Sequence, residues 1–178
     1  SGFNTKIMLF YSAVTILLLG TWYRIAAVPK GMRKRRPGQI FNARMLLACF
    51  ILMVSMQYIA SYLIIVVANF RPDWYESYNQ LFESAGMNDM TVLLTVYAVI
   101  LAPVCEELIF RGLMLHFFRK ALPFWAANLL QAVLFGVYHM NLTQGIYAFL
   151  IGIILGCILK LGRSIYPAIL FHILFNLF

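Results

Sequence analysis

The chain has 178 residues, of which 63% are hydrophobic and only 11% are charged, against roughly 25% charged residues in soluble domains. A soluble domain of this length cannot bury that much apolar surface, and the apolar residues come in long blocks close to the ~20 residues of a bilayer-spanning helix. About six such spans leave no room for a second soluble domain. The composition therefore predicts a single all-α, polytopic integral membrane bundle over residues 1–178.

The net charge of +8 does not predict nucleic-acid binding, because the basic residues do not form a stripe. Five of them lie in one short loop, residues 30–36, between two apolar segments. This pattern is typical of the positive-inside rule or of a patch that contacts anionic lipid. We expect the lipid bilayer, and no nucleic acid, among the partners.

Six apolar runs predict the transmembrane helices. Basic residues collect at the ends of these runs on one side, which predicts that both termini lie outside. The last run stops at Phe178, short of ~20 residues, so we expect either a longer natural chain or an early end here. The predicted spans are residues 7–28, 41–70, 91–118, 124–139, 145–161 and 165–178.

The segment 71–90, between the second and third spans, is acidic: one Arg against four Asp and Glu gives a net charge of −3. Asp73 and Glu76 have the spacing of a capping box. One helical face carries Trp74, Tyr78, Leu81 and Phe82. This pattern predicts a short helix in the outer interface and a candidate surface for a membrane or envelope partner protein. A loop carrying aromatic belt residues is an equal alternative.

Polar residues interrupt the apolar pattern in three of the spans. A charged group at mid-membrane costs roughly 2.5–3.5 kcal/mol on insertion scales, so such residues indicate function by default. With a rise of 1.5 Å per residue, the polar residues of the three helices lie within about 10 Å of one another in depth. They are Glu106, Glu107 and Arg111 in the third span, His139 at the end of the fourth, and His172 and Asn176 in the sixth.

Spacing also assigns helical faces to these residues. Glu107 and Arg111 are four positions apart and can pair along their own helix. Glu106 points about 100° away from Glu107, which predicts different roles for the two carboxylates. His172 and Asn176 share one face. His116 lies near the inner boundary and is left out of the site as an interfacial histidine.

Several reaction classes lack their pattern in this sequence. H-E-x-x-H and G-x-S-x-G are absent, and both aspartates lie outside the spans. What remains is a carboxylate and a histidine able to activate water, with a His/Asn pair able to stabilise an oxyanion. Three alternatives stay open: a thiolate nucleophile at Cys105, a Glu/His/His metal site, and a buried polar network that only holds the helices together.

Three motifs resemble those of the CPBP family (CAAX proteases and bacteriocin-processing proteins, also called Abi), which includes the type II CAAX prenyl endopeptidases. Glu106–Arg111 resembles its E-E-x-x-x-R motif, Phe135–His139 its F-x-x-x-H motif, and His172–Asn176 its H-x-x-x-N motif. The resemblance covers about residues 102–178, within a family core of about 91–178. The first two spans carry no motif.

The resemblance implies a glutamate-dependent intramembrane endopeptidase that needs no metal or other cofactor and cuts a membrane-bound or lipidated peptide. It implies that Glu106 is the general base that activates water, with the help of His139. It also implies that His172 and Asn176 stabilise the oxyanion, and that the Glu107–Arg111 pair orients the first helix of the site.

The resemblance leaves the substrate and the biological role open. The compact size is similar to that of bacterial members, which predicts a multi-pass protein of the bacterial plasma membrane that acts in bacteriocin processing, immunity or envelope regulation. A non-catalytic scaffold or regulator that binds an envelope enzyme or sensor kinase is the main alternative. A small transporter that uses the carboxylates as a proton relay is the third.

Overall fold

The computed structural model describes residues 2–28, 37–85 and 91–178, and in these ranges all regular secondary structure is helical, as predicted. The predicted basic loop at residues 30–36 lies outside the described residues. Each of the predicted apolar runs forms a helix within the described ranges. A single helical turn, Pro37–Ile40, precedes the second long helix. The helices are α1 (Gly2–Ala26), α2 (Ala43–Phe70), α3 (Pro72–Ser84), α4 (Val92–Phe118), α5 (Phe124–Tyr138), α6 (Leu142–Gly162) and α7 (Tyr166–Leu177).

Four of the described helices, α1, α2, α4 and α6, are long and apolar enough to cross a membrane. The other two apolar helices are shorter, with 15 residues in α5 and 12 in α7, or about 22 and 18 Å of helix. The α5 helix ends early because Met140 has a left-handed φ of 55° and the side chain of Asn141 caps the next helix by accepting from the Gln144 N–H at 3.0 Å. The chain is a multi-pass, all-α integral membrane protein.

The acidic segment does form a helix, α3, but the predicted capping box is wrong. The N-cap is Arg71, whose side chain makes no cap hydrogen bond, and Pro72 occupies the first turn. Asp73 pairs with Arg71 instead, with Nη2–Oδ2 at 2.6 Å and Nε–Oδ1 at 3.0 Å. These hydrogen bonds hold the pKa of the exposed Asp73 carboxyl below its usual value.

The aromatic face of α3 packs against another helix of the bundle. The Trp74 carbonyl accepts from Thr143 Oγ1 of α6 at 3.1 Å. The Tyr78 ring contacts the Tyr147 ring of α6 edge to face, with 6.4 Å between centroids. The predicted aromatic face is therefore partly used within the chain itself.

Buried polar side chains that were not among the predicted site residues hold α5 against α6. Asn128 Nδ2 donates to the Ile153 carbonyl at 3.0 Å. Gln131 Nε2 donates to the Gly152 carbonyl and to Asn128 Oδ1, both at 2.9 Å. Both side chains are fully buried. Side-chain hydrogen bonds of this kind commonly join helices in membranes.

Two glycines let α5 and α6 approach each other at their connected ends. A Cβ on Gly136 would lie 2.7 Å from the Gly145 carbonyl oxygen, and a Cβ on Gly145 would lie 2.9 Å from the Gly136 carbonyl oxygen. Both obstacles are backbone atoms, which no rotamer change can move. Small residues serve this purpose at helix contacts in membranes.

We expect Gly136→Ala to lower the free energy of unfolding by about 1–3 kcal/mol, as overpacking does elsewhere. The matched control is Gly20→Ala in α1, where the added Cβ would meet only Leu108 Cδ1 at 3.8 Å. Unfolding in mixed micelles, titrated with SDS, measures both variants. Equal stability of the two proteins would contradict the close approach of α5 and α6.

The last helix is held by an apolar cluster shared with α2 and α6. Gln57 of α2 adds a polar contact, since its Nε2 donates to the Phe175 carbonyl at 2.6 Å. This packing fixes the helix that carries His172 and Asn176. The buried members of the cluster are Cys49, Met53, Met56, Ile151, Leu155, Ile158, Ala168 and Phe171.

Candidate active site

The α4 helix changes its winding on both sides of the two glutamates. The segments Tyr97–Leu101 and Leu108–Met114 are π-helical, and the α-helical segment Ala102–Glu107 lies between them. Short π-helical segments are rare and occur frequently at functional sites. The two glutamates are thus the last two residues of a six-residue α-helical segment that lies between two π-helical segments.

The first π-helical segment explains the contact made by Asn176. The N–H of Ala102 bonds to the Tyr97 carbonyl, and the next residue, Pro103, has no N–H to donate. The Ala98 carbonyl is left to accept from Asn176 Nδ2 at 3.2 Å. This bond fixes the exposed end of α7 against α4.

Glu107 lies at the centre of a fully buried ion-pair network. Its Oε1 accepts from Arg111 Nη1 at 2.9 Å, and both side chains are 0% exposed. The same oxygen lies 2.9 Å from Nδ1 of His172 on α7. The expected pairing along α4 is present, and the network also joins α4 to α7.

Glu106 is the more accessible carboxylate. Its side chain is 14% exposed, and its Oε2 lies 3.6 Å from His172 Nε2. That separation is an ion-pair distance but is too long for a direct hydrogen bond. Although the two glutamates point about 100° apart, both reach the same imidazole, because its two nitrogens face opposite edges of the ring.

The partners of His172 determine its protons. A carboxylate paired with an arginine accepts hydrogen bonds only, so Nδ1 carries a proton that it donates to Glu107. With Nδ1 directed at Glu107, Nε2 is the nitrogen that faces Glu106.

His139 has its tautomer fixed by its own helix. Its Nδ1 lies 2.8 Å from the Phe135 carbonyl oxygen, which can only accept, so Nδ1 carries the proton in the neutral ring. The Nε2 lone pair is therefore free to accept a proton. The side chain is half-buried at the C-terminus of α5.

Phe135 of α5 contacts residues of α4 and α7 as well as His139. In the sequence it was noted only as the first residue of the F-x-x-x-H motif. Its ring centroid lies 4.8 Å from that of His139 and 5.8 Å from that of His172, nearly perpendicular to both. The Arg111 guanidinium carbon lies 4.1 Å from the same centroid. The four-residue spacing in F-x-x-x-H is the signal that placed this ring on the face of His139.

The structure brings Glu106, Glu107, Arg111 and His172 into one network, with His139 beside it across Phe135. His172 and Asn176 have different partners, since Glu107 engages the first and Ala98 the second. Cys105 lies toward α1, where its Sγ is 3.7 Å from the Ser12 carbonyl oxygen. Within the described ranges, no group of three or more His, Cys, Asp or Glu has the geometry of a metal site.

A model of the Rce1-like family, described as type II CAAX prenyl endopeptidase Rce1-like, matches residues 88–178, slightly more than half of the 178 residues. The chain belongs to the Rce1-like family. The matched region contains all six predicted site residues, and the resemblance to the CAAX proteases is confirmed. The comparisons with curated proteins and with solved structures give no match.

Membership of the Rce1-like family indicates a membrane-embedded protease of the CAAX type. Two helices outside the matched region, α1 and α2, pack against it. Ser12 of α1 contacts Cys105 next to the glutamates, and Gln57 of α2 binds the Phe175 carbonyl beside Asn176. These two helices therefore support α4 and α7, two of the three helices that carry the candidate site.

Proposed function

We propose that this protein is an intramembrane endopeptidase in which Glu106 and His139 activate water to cut a membrane-bound or lipidated peptide. The observation that carries the proposal is the difference in environment between two adjacent carboxylates. Glu107 is fully buried and held by Arg111 and His172, whereas Glu106 is partly exposed and makes no direct hydrogen bond among the described residues.

In this mechanism the water oxygen forms a bond to the scissile carbonyl carbon while Glu106 takes a water proton. The Nε2 lone pair of His139 accepts from the same water and orients it. The proton then passes to the amide nitrogen, the C–N bond breaks, and a carboxylic acid and an amine leave. General-base assistance of this kind contributes roughly 10²–10⁴ in rate.

Two donors remain for the oxyanion. Asn176 Nδ2 spends one hydrogen on Ala98 and has a second one available. His172 Nε2 supplies the other donor in its protonated form, since Glu107 holds Nδ1 in place. A single oxyanion donor contributes about 10²–10³ in rate.

The experiment that tests the activity compares protein N-termini by mass spectrometry in cells that carry the wild type or Glu106→Gln. The matched control is Glu83→Gln, the same isosteric change on an exposed position of α3. We expect an N-terminus within or beside a membrane segment that is lost in Glu106→Gln and kept in the control. Identical N-termini, with the knockout phenotype rescued by Glu106→Gln, would favour a non-catalytic scaffold instead.

We also propose the bacterial plasma membrane as the site of action, on the basis of the chain's compact size. A bacteriocin leader, an immunity partner or an envelope regulator is then the kind of substrate to expect. The N-terminus found in the experiment above identifies which of these is cut. A substrate that carries a prenyl group would contradict the bacterial location, but it would not contradict the endopeptidase activity.

The pH profile of the purified protein should be bell-shaped, because the reaction needs a deprotonated base and intact hydrogen-bond donors for the oxyanion. Acid protonates Glu106 and removes the base, whereas alkali weakens the donors to the oxyanion. Measuring kcat/KM on the identified substrate between about pH 5 and 9 tests this, with thermal stability followed at each pH. A flat profile would count against a Glu/His mechanism.

A further inference from the structure

A cavity of about 340 Å³ lies at the end of the bundle where α6 ends and α7 begins. This is the end opposite α3, which contacts the start of α6, and it is the end that the distribution of basic residues predicts to face inward. Five helix ends meet around it. The lining residues from these ends are Val28, Arg119, Phe124, Lys160 and Ser164.

The wall of this cavity is cationic. Arg119, Lys160 and Arg163 all line it, and no acidic residue does so in the described part of the chain. Lys160 Nζ lies 4.1 Å and the Arg119 guanidinium carbon 5.9 Å from the Phe124 ring centroid. The two charges thus flank one aromatic ring, and neither has a carboxylate within salt-bridge distance among the described residues.

The start of α7 adds to the field at this cavity. Ser164 lines it, and the Ser164 hydroxyl accepts from the Tyr166 N–H at 3.4 Å in the first turn of α7. The helix dipole favours an anion near a helix N-terminus. Tyr23, Leu115 and Leu159 supply apolar or amphipathic surface beside these polar groups.

We propose that this cavity binds the phosphate group of an anionic membrane phospholipid. Arginine and lysine side chains are the usual phosphate ligands, and basic pockets between transmembrane helices bind lipid head groups. The volume lies within the range of small-molecule sites, and the position at the span ends is where head groups lie. A phosphate held by Arg119 and Lys160 joins the end of α4 to the end of α6, so the lipid stabilises the helix that carries the glutamates.

The experiment compares Lys160→Gln with Lys120→Gln by native mass spectrometry of the purified protein in detergent, titrated with phosphatidylglycerol or phosphatidylcholine. Lys120 lies at the same end of the bundle, with Nζ 4.5 Å from the Phe117 ring centroid, but it is not on the cavity wall. Each basic residue near an anionic lipid contributes about a factor of five. We expect Lys160→Gln to bind phosphatidylglycerol about fivefold more weakly, Arg119→Gln/Lys160→Gln about thirtyfold, and Lys120→Gln like the wild type.

A second arm distinguishes a lipid from a free anion. Thermal stability is followed with inorganic phosphate, with chloride at the same ionic strength, and with phosphatidylglycerol. Stabilisation by the lipid but not by inorganic phosphate supports the proposal. Stabilisation by inorganic phosphate without retention of the lipid would overturn it in favour of a soluble phosphate ligand, and equal lipid affinity in Lys160→Gln and Lys120→Gln would show that surface charge alone is measured.

Discussion

Glu106→Gln is expected to lower kcat by a factor of about 10²–10⁴ while leaving the fold intact. The change is isosteric, the side chain is 14% exposed, and its contact with His172 Nε2 is 3.6 Å long, so little packing or hydrogen bonding is lost. What is lost is the carboxylate that takes the water proton. The measurement is kcat on the identified substrate, together with the melting temperature of the same preparation.

The control for this prediction is Glu83→Gln, which should keep both full activity and full stability. A Glu106→Gln variant that retains more than about a tenth of the wild-type rate would contradict the role of general base. A variant that loses activity only because it unfolds would show a lowered melting temperature. The two outcomes are therefore distinguishable in one set of preparations.

The level at which the polar residues meet was predictable from sequence because the helical rise is constant. Counting residues from the basic span ends placed Glu106, His139 and His172 at similar depths, and these side chains do lie around Phe135 or in contact. Helical rise says nothing about rotation between different helices. That His172 lies between the two glutamates depends on how α7 packs on α2 and α6, which no periodicity in α7 encodes.

The details of α4 were beyond the sequence pattern for a different reason. An apolar run predicts a helix but not its winding, so the π-helical segments on both sides of the glutamates could not be expected. Pro103 was the available signal, because it removes a backbone donor and leaves the Ala98 carbonyl for Asn176. The shared helical face of His172 and Asn176 did not indicate that each has a different partner.

The buried role of the polar residues of α5 was predictable from the sequence. Asn128 and Gln131 are three positions apart in an apolar run, which by the reasoning applied to the glutamates should have indicated a buried role. Their carbonyl partners on α6 explain why the neutral amides are tolerated there. In contrast, the boundaries of α5 and α7 depend on Met140 and on the turn before Pro167, which hydropathy alone does not locate.

Breaking the buried pair should affect stability far more than the loss of Glu106 does. We expect Glu107→Gln or Arg111→Met to lower the free energy of unfolding by about 3–5 kcal/mol, because each leaves one charge buried without its partner. Both side chains are 0% exposed in this pair. Titration with SDS in mixed micelles measures the loss of stability relative to the wild type. The Glu106→Gln variant, changed at the neighbouring carboxylate, is the control.

The double variant Glu107→Gln/Arg111→Met separates an ion pair from mere packing. Removing both charges leaves no unpaired ion, and the Gln side-chain oxygen still accepts from His172 Nδ1, so the double variant should be more stable than the sum of the single losses predicts by about 1–3 kcal/mol. The same cycle at the exposed Arg71–Asp73 pair should show little coupling, since solvent screens it. Additive losses at Glu107 and Arg111 would mean that the two side chains stabilise α4 independently, and that His172 alone holds Glu107.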